Sequence, residues 1–272
     1  MIVRGCGCRE LIGDTYKRTK TLDAAIKIRT FERSQSVVIS SGYTVFMSVS
    51  ELSASTQNYL KAVWGLTEWS SVPVTPTLIA ERTGLKLSSV SDAVRKLSTQ
   101  GLVEHAPYGS VELTETGRLY ALAMVRRHRL IESFLVSVLG YSWDQVHEEA
   151  EHLEHAVSDF MIDRIDEFLE FPTRDPHGDP IPSADGTVHI PDATQLTEVG
   201  AGHQVVVERI SDSDPALLQF FEKHGFVVGA TLEIGEGEPF SDALDARVTG
   251  SDTSVALGRS ATDALYVSIA EG

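Results

Sequence analysis

Three patterns in the 272-residue sequence predict a mainly α chain with a winged helix-turn-helix, a helical dimerisation domain and a small C-terminal β-barrel. Two short helical stretches separated by Gly84 precede a compact strand-turn-strand, the spacing of a helix-turn-helix with its wing. The helices that follow carry more apolar surface than they can cover alone, so a symmetric twin subunit is expected against them. From Gly202 onward, short strand-like runs alternate with Gly-rich turns, which suggests a small barrel.

In chain order, residues 1–46 hold eight bases, four acids, Cys6-x-Cys8 and no sustained periodicity. A disordered extension, or a start placed too far upstream, is expected there, because Met47 opens Met-Ser-Val-Ser-Glu-Leu-Ser. Residues 47–118 form the DNA-binding module. Ser53 or Ser55 can cap its first helix, which runs to about Glu68 with Tyr59, Leu60, Val63, Trp64 and Leu66 on its apolar side. Thr75 or Thr77 precedes a second helix, Leu78–Arg82, closed by Gly84. Ser88 is expected to cap the third, Ser89–Leu97, which ends at Gly101. Ala80, Leu85, Val90, Val94 and Leu97 would share the core, and 102–105 and 111–113 would pair around Pro107-Tyr108-Gly109 as the wing.

Residues 119–185 form the helical domain. Thr114 or Thr116 opens a helix through Leu139 that Gly140 stops, Ser142 or Asp144 caps the next, and 159–169 continues helically. The run from Phe171 to Pro182 cannot be regular structure and begins a linker, 186–200 being its last part. Residues 201–272 hold strands at 204–210, 230–234, 246–249 and 266–269, interrupted by a short helix at 215–224.

The net charge of −16 excludes indiscriminate nucleic-acid binding, but its distribution is uneven. Tyr141–Glu170 carries ten acids and one base, whereas Thr75–Leu130 carries eight bases and five acids. No apolar run reaches the roughly 18–20 residues of a membrane helix, and no secretion signal opens the chain. Cys6 and Cys8 stand too close to frame a disulfide fold. A cytoplasmic location without membrane attachment is expected.

The chemistry gathers at His147-Glu148-Glu149-Ala150-Glu151-His152-Leu153-Glu154-His155. A helix turns 100° per residue, so His147, Glu151, Glu154 and His155 would share one face. His128 and Glu132, four apart on the preceding helix, supply a second pair. Nitrogen and oxygen donors without thiolate suit Mn(II), Fe(II) or Zn(II); the alternative is a solvated Glu/His face. Near the start of the recognition helix Ser88, Ser89, Ser91 and Asp92 would face the DNA groove, with Arg95 and Lys96 on phosphates. A symmetric dimer reading double-stranded DNA would require a palindromic operator.

From about Glu51 to its end, some four fifths of its length, the chain resembles the diphtheria-toxin-repressor family of metal-dependent transcription factors, in particular its actinobacterial manganese regulators. Thr56-Gln57-Asn58-Tyr59-Leu60, the run Met124–Glu132, the stretch Val146–Ser158 and Asp175-Pro176-His177-Gly178-Asp179-Pro180-Ile181-Pro182 carry the resemblance. It implies an SH3-like C-terminal domain, two metal sites per subunit and repression, here of manganese homeostasis genes, when the metal is bound. Matched by position, His128, Glu132 and His147 would form one site, and Asn58, Glu151, Glu154 and His155 the other. Iron-responsive members place cysteine where Glu151 stands, so Mn(II) is the first expectation and Fe(II) the second. The chain departs from the manganese pattern at Asn58, where an aspartate is typical, and at Lys61, where two-domain members use glutamate. Lys61 points to the three-domain arrangement, in which Asp214 would contribute from the last domain, although Leu217 replaces the second polar ligand there. A metal-independent winged-helix regulator and a dinuclear metallohydrolase are the rivals.

Overall fold

The computed structural model describes residues 36–39, 43–46, 48–106 and 109–270. Residues 1–35, with Cys6-x-Cys8 and the question of the start, lie outside these, as does the wing turn at Pro107 and Tyr108. Within the stretch expected to lack regular structure, β1 (Ser36–Ile39) pairs antiparallel with β2 (Tyr43–Phe46), Ser36 opposite Phe46. The β-branched and aromatic residues on either side of Ser40-Ser41-Gly42 are the local signal for this hairpin.

A 3-10 turn at Val49–Glu51 leads into α1 (Ala54–Glu68), whose cap is Ser53, accepting from the Thr56 amide at 3.2 Å. Thr75 caps α2 (Pro76–Thr83), and Gly84, at φ 67°, ends it in the left-handed conformation that a side chain resists. The recognition helix α3 (Leu87–Thr99) starts earlier than expected: Lys86 is its N-cap and Ser88 lies in the first turn, making no cap. Tyr59, Leu60 and Val63 of α1 pack with Ile79, Val90, Val94, Leu97, Leu102, Val103, Val111 and Ala121. Ile79 is fully buried there, while Leu85, expected in this core, is 48% exposed because it follows the αL turn outward. The wing is β3 (Val103–His105) against β4 (Val111–Leu113), with Glu104 opposite Glu112.

One helix belongs to two domains. Thr114 caps α4 (Glu115–Leu139), whose first turns pack on α1 and whose later turns bury Leu130, Ile131 and Leu135 against α5 (Trp143–Leu153) and α6 (Asp159–Phe168). Phe160, Met161, Phe168 and Phe171 stand exposed on and just after α6, an apolar face of the kind a twin subunit covers.

The segment expected to begin a linker is instead buried. Asp175 Oδ1 accepts the amides of His177 and Asp179, both at 2.9 Å, and Asp175, His177, Asp179 and Ile181 are all buried. Its tight turn is made by Gly178, at φ 92°. A Cβ there would stand 2.2 Å from the Glu208 carbonyl oxygen.

The expected linker 186–200 is partly regular: β5 (Thr194–Gln195) and α7 (Leu196–Val199) already belong to the last domain. The domain continues with β6 (His203–Ile210), α8 (Pro215–Lys223), β7 (Thr231–Glu236), β8 (Leu244–Val248), β9 (Ser254–Leu257), α9 (Arg259–Ala264) and β10 (Leu265–Ile269). Its strands form one antiparallel sheet in the order β5-β10-β6-β7-β8-β9. Among the described residues β5 and β9 do not pair, so the expected closed barrel is an open sheet over a core of Val205, Val207, Leu218, Phe221 and Leu232.

Because Gly178 combines a positive φ with a close backbone approach, Gly178→Ala is expected to destabilise the protein by about 1–3 kcal/mol, through strain and overpacking. Urea unfolding of the two proteins measures it, and an unchanged midpoint would contradict the close packing of this turn on β6.

Candidate metal centre

His128 and Glu132 lie one turn apart on α4, and His147 reaches them from α5. His128 Nε2 is 3.0 Å from Glu132 Oε1 and 3.2 Å from His147 Nδ1, which is itself 3.2 Å from Glu132 Oε1. Asp212, just beyond β6, sets Oδ2 3.2 Å from the same His147 nitrogen. The donor atoms of His128, Glu132 and His147, spaced in this way, subtend about a right angle at a point roughly 2.0–2.2 Å from each, the reach of a divalent metal–N/O bond. This first set therefore fits a divalent ion. The other His128 nitrogen, Nδ1, is 2.6 Å from Glu154 Oε2, so it is Nε2 that faces the set.

The electrostatics are those of a strongly coupled acid–imidazole group. Burial lowers the His147 pKa, but hydrogen bonds with Asp212 and Glu132 outweigh it and push it up to about 10. Burial opposes ionisation of Glu132 as well, yet His128 and His147 hold it well below the carboxylate range. Asp212 is lowered in the same sense: its burial is outweighed by His147, with help from His177 and Arg209.

The second expected set is arranged differently. Helix α5 ends at Leu153, and Glu154 is its C-cap, still in helical conformation with its amide on the Ala150 carbonyl, so Glu151 and Glu154 stay on one face and share one partner. Glu154 is fully buried, and both its oxygens accept from the Lys61 ammonium of α1, at 2.7 and 2.8 Å; Glu151 Oε1 accepts from it at 2.6 Å. His155 Nδ1 meets Gln57 Oε1 at 2.6 Å. Asn58 is exposed on the wall of the adjoining cleft, and among the described residues it has no hydrogen bond to Glu151, Glu154 or His155. Asp214 is not drawn to the centre either: it is exposed and caps α8, Oδ1 accepting from the Ala216 amide at 2.9 Å. Asp-Pro at a helix start is itself a capping signature, and it left Asp212 as the acid free to turn inward.

A third convergence, Glu132 with Asp175 and His177, was not anticipated because its members come from distant turns. Burial, together with Asp179 and Glu132, pushes the Asp175 carboxyl well above its usual range despite Arg129. The basic run on α4 also changes meaning. Arg126 bonds Asp166 at 2.6 Å, Arg127 pairs with Asp159, and Arg129 grips both oxygens of Glu68 at 2.8 and 2.6 Å. These three bases are buried and give nothing to a DNA-facing surface. On α3, by contrast, Ser88, Ser89, Ser91, Asp92, Arg95 and Lys96 are all exposed, with Arg95 paired to Asp92.

Residues 51–111 match the model described as "Iron dependent repressor, N-terminal DNA binding domain", and 114–183 match "Iron dependent repressor, metal binding and dimerisation domain". Residues 194–269 match the FeoA domain. The iron-dependent repressor IdeR of Mycobacterium tuberculosis is 37% identical over 169 residues, covering 58% of this chain and 72% of that protein. The chain belongs to the iron-dependent repressor family. It is a metal-responsive DNA-binding repressor and not an enzyme, which sets the metallohydrolase alternative aside. Among solved structures, a manganese-dependent transcriptional repressor in complex with manganese is 48% identical, covering 79% of this chain and all of that one, with a TM-score of 0.75. The manganese regulator SloR is 31% identical, covering 79% of this chain and 98% of that one, with a TM-score of 0.66. The part matching the DNA-binding domain precedes the part matching the dimerisation domain, and among the described residues no helix is long and apolar enough to cross a membrane.

The roles of the two acids after β6 can be told apart. Asp212→Asn is expected to lower the His147 pKa, because a neutral amide no longer favours the imidazolium. Asp214→Ala is expected to leave that pKa unchanged and to cost about 1 kcal/mol of stability through the lost cap. Imidazole titration by NMR, with thermal unfolding beside it, tests both; a shift in the Asp214 variant alone would reverse the assignment.

Proposed function

We propose that this repressor answers to Mn(II), bound by His128, Glu132 and His147 with Asp212 completing the set. The observation that carries this reading is the convergence of the His128, Glu132 and His147 donor atoms, 3.0–3.2 Å apart and without a thiolate, with Asp212 Oδ2 3.2 Å from His147. Such donors select hard divalent ions by geometry rather than by raw affinity. Glu151 in the place of the iron regulators' cysteine points the same way, as does the manganese complex among the structural neighbours. Fe(II) is the second reading, favoured by the iron-dependent relatives.

The ion would supply a concentrated positive charge that draws these donors into one arrangement. His128 and Glu132 come from α4, His147 from α5 and Asp212 from the last domain, so their alignment would fix how these elements meet. His128 passes the constraint on through Nδ1 to Glu154, and Glu154 holds Lys61 on α1, the first helix of the DNA-binding part. The exposed α3 residues Ser88, Ser89, Ser91 and Asp92 would then read base edges, while Arg95 and Lys96 contact phosphates. Two copies related by a twofold axis place two such helices on a palindromic operator.

Sequences selected from a random duplex library in the presence of Mn(II) are expected to be palindromic. On such a duplex, fluorescence anisotropy should show Mn(II) tightening binding by about 5–150-fold, the usual range of allosteric coupling, more than Fe(II) does under anaerobic conditions. His147→Ala should abolish the effect. Equal DNA affinity with and without Mn(II) would overturn the proposal, and a larger response to Fe(II) would favour the second reading.

A further inference from the structure

The family resemblance implies a second ion on Glu151, Glu154, His155 and Asn58, and this donor set does not fit one. The position between the two carboxylates is taken by the Lys61 side chain. Its ammonium lies 2.6 Å from Glu151 Oε1 and 2.7 and 2.8 Å from the two oxygens of Glu154. All three contacts have charge-assisted hydrogen-bond length, so the lysine uses the oxygens an ion would need. Glu154 is fully buried, and a carboxylate there requires a cation; Lys61, itself only 17% exposed in its side chain, supplies one from within the chain. Asn58 offers no charge to make good the difference and lies exposed beside the cleft. His155 has Nδ1 on Gln57 Oε1 and Nε2 3.6 Å from Glu154 Oε1, so it faces a carboxylate oxygen that the Lys61 ammonium already holds at 2.7 Å.

We propose that Lys61 is a tethered cation that replaces the second metal ion, so that each subunit takes one divalent ion tightly, and α1 is joined to α5 by an ion pair. A divalent ion bound to Glu154 would sit against the ammonium, where like charges at contact distance repel strongly. To enter, it would have to expel the lysine from a buried carboxylate. The consequence is a repressor whose DNA-binding helix is held to the dimerisation domain by a covalently attached charge, leaving the His128–Glu132–His147 set as its metal sensor. This inference rests on the reading of that first set as the sensor site.

The test is the Mn(II) stoichiometry of the full-length chain, read by equilibrium dialysis with elemental analysis and by the EPR signal of the remaining free Mn(II). Wild type is expected to bind one tight Mn(II) per subunit. Lys61→Met, which keeps the stem and removes the charge, should strengthen a second binding event at least tenfold. Lys61→Glu, which adds a third carboxylate, should give two tight ions, whereas Lys61→Arg should remain at one. Thermal unfolding checks that each variant is folded. Two tight ions in wild type would overturn the proposal, as would a stoichiometry of one in both the Met and Glu variants. Failure of the sensor reading looks different: His147→Ala would then leave wild-type Mn(II) binding intact.

Discussion

The buried guanidinium of Arg129 is the contact on which the relation between the three parts of the molecule depends. It holds both oxygens of Glu68 at the end of α1 and the Pro180 carbonyl at 2.7 Å, with Asp179 at 3.4 Å and Asp175 at 3.6 Å. Asp179 in turn accepts from Arg209 Nε at 2.7 Å and from Trp69 Nε1 at 2.8 Å, and the Arg209 guanidinium lies over both Trp69 and Tyr266, whose rings are themselves in contact. One charge thus reaches the DNA-binding helix, the buried turn after α6 and the last sheet. Burial works against the charged form, but the surrounding carboxylates hold the Arg129 pKa above its ordinary value. Such a network contributes little net stability compared with an apolar core of the same shape, but it tolerates few alternative arrangements. Geometric definition is what a relay between domains requires.

A second polar chain runs parallel to it. His128 faces the first donor set through one nitrogen and Glu154 through the other, and Glu154 leans on Lys61. Because α4 belongs both to the DNA-binding core and to the helical domain, its His128 side is connected to α1 by hydrogen bonds through Glu154 and Lys61. The two chains meet α1 seven residues apart, at Lys61 and at Glu68, two helical turns along one face. Together they tie α1 to the helical domain at two points.

Charge is used inwardly as well as outwardly. Among the bases between Thr75 and Leu130, Arg126 and Arg129 neutralise the buried acids Asp166 and Glu68, and the buried Arg127 pairs with the part-exposed Asp159. The cationic surface for phosphates is consequently small, and Asp92 pairs with Arg95 on the recognition helix itself. A net charge of −16 disfavours nonspecific attraction to DNA.

Much of this was legible along the chain. Caps and stops such as Ser53, Thr75, Gly84, Thr114 and Gly140 are local devices, so the helices of the DNA-binding part and the long α4 follow from neighbouring residues alone. The pairing of His128 with Glu132 is likewise a matter of one helical turn, and the strands of the last domain announce themselves by their apolar alternation. What the chain order could not reveal was decided by contacts between distant segments. Glu151 and Glu154 share one face, as periodicity gave them, but what stands against that face is the Lys61 ammonium of α1. Asp212 and not Asp214 meets His147, because a Pro at the following position commits Asp214 to capping. The arginines of α4 turn inward because their partners, Asp166, Asp159 and Glu68, arrive from other helices. Lys61 reaches Glu151 and Glu154 across some ninety residues of chain. A local pattern specifies the hydrogen bonds of a turn, whereas the partner of a buried charge is selected only when folding removes water and leaves one opposite charge within reach.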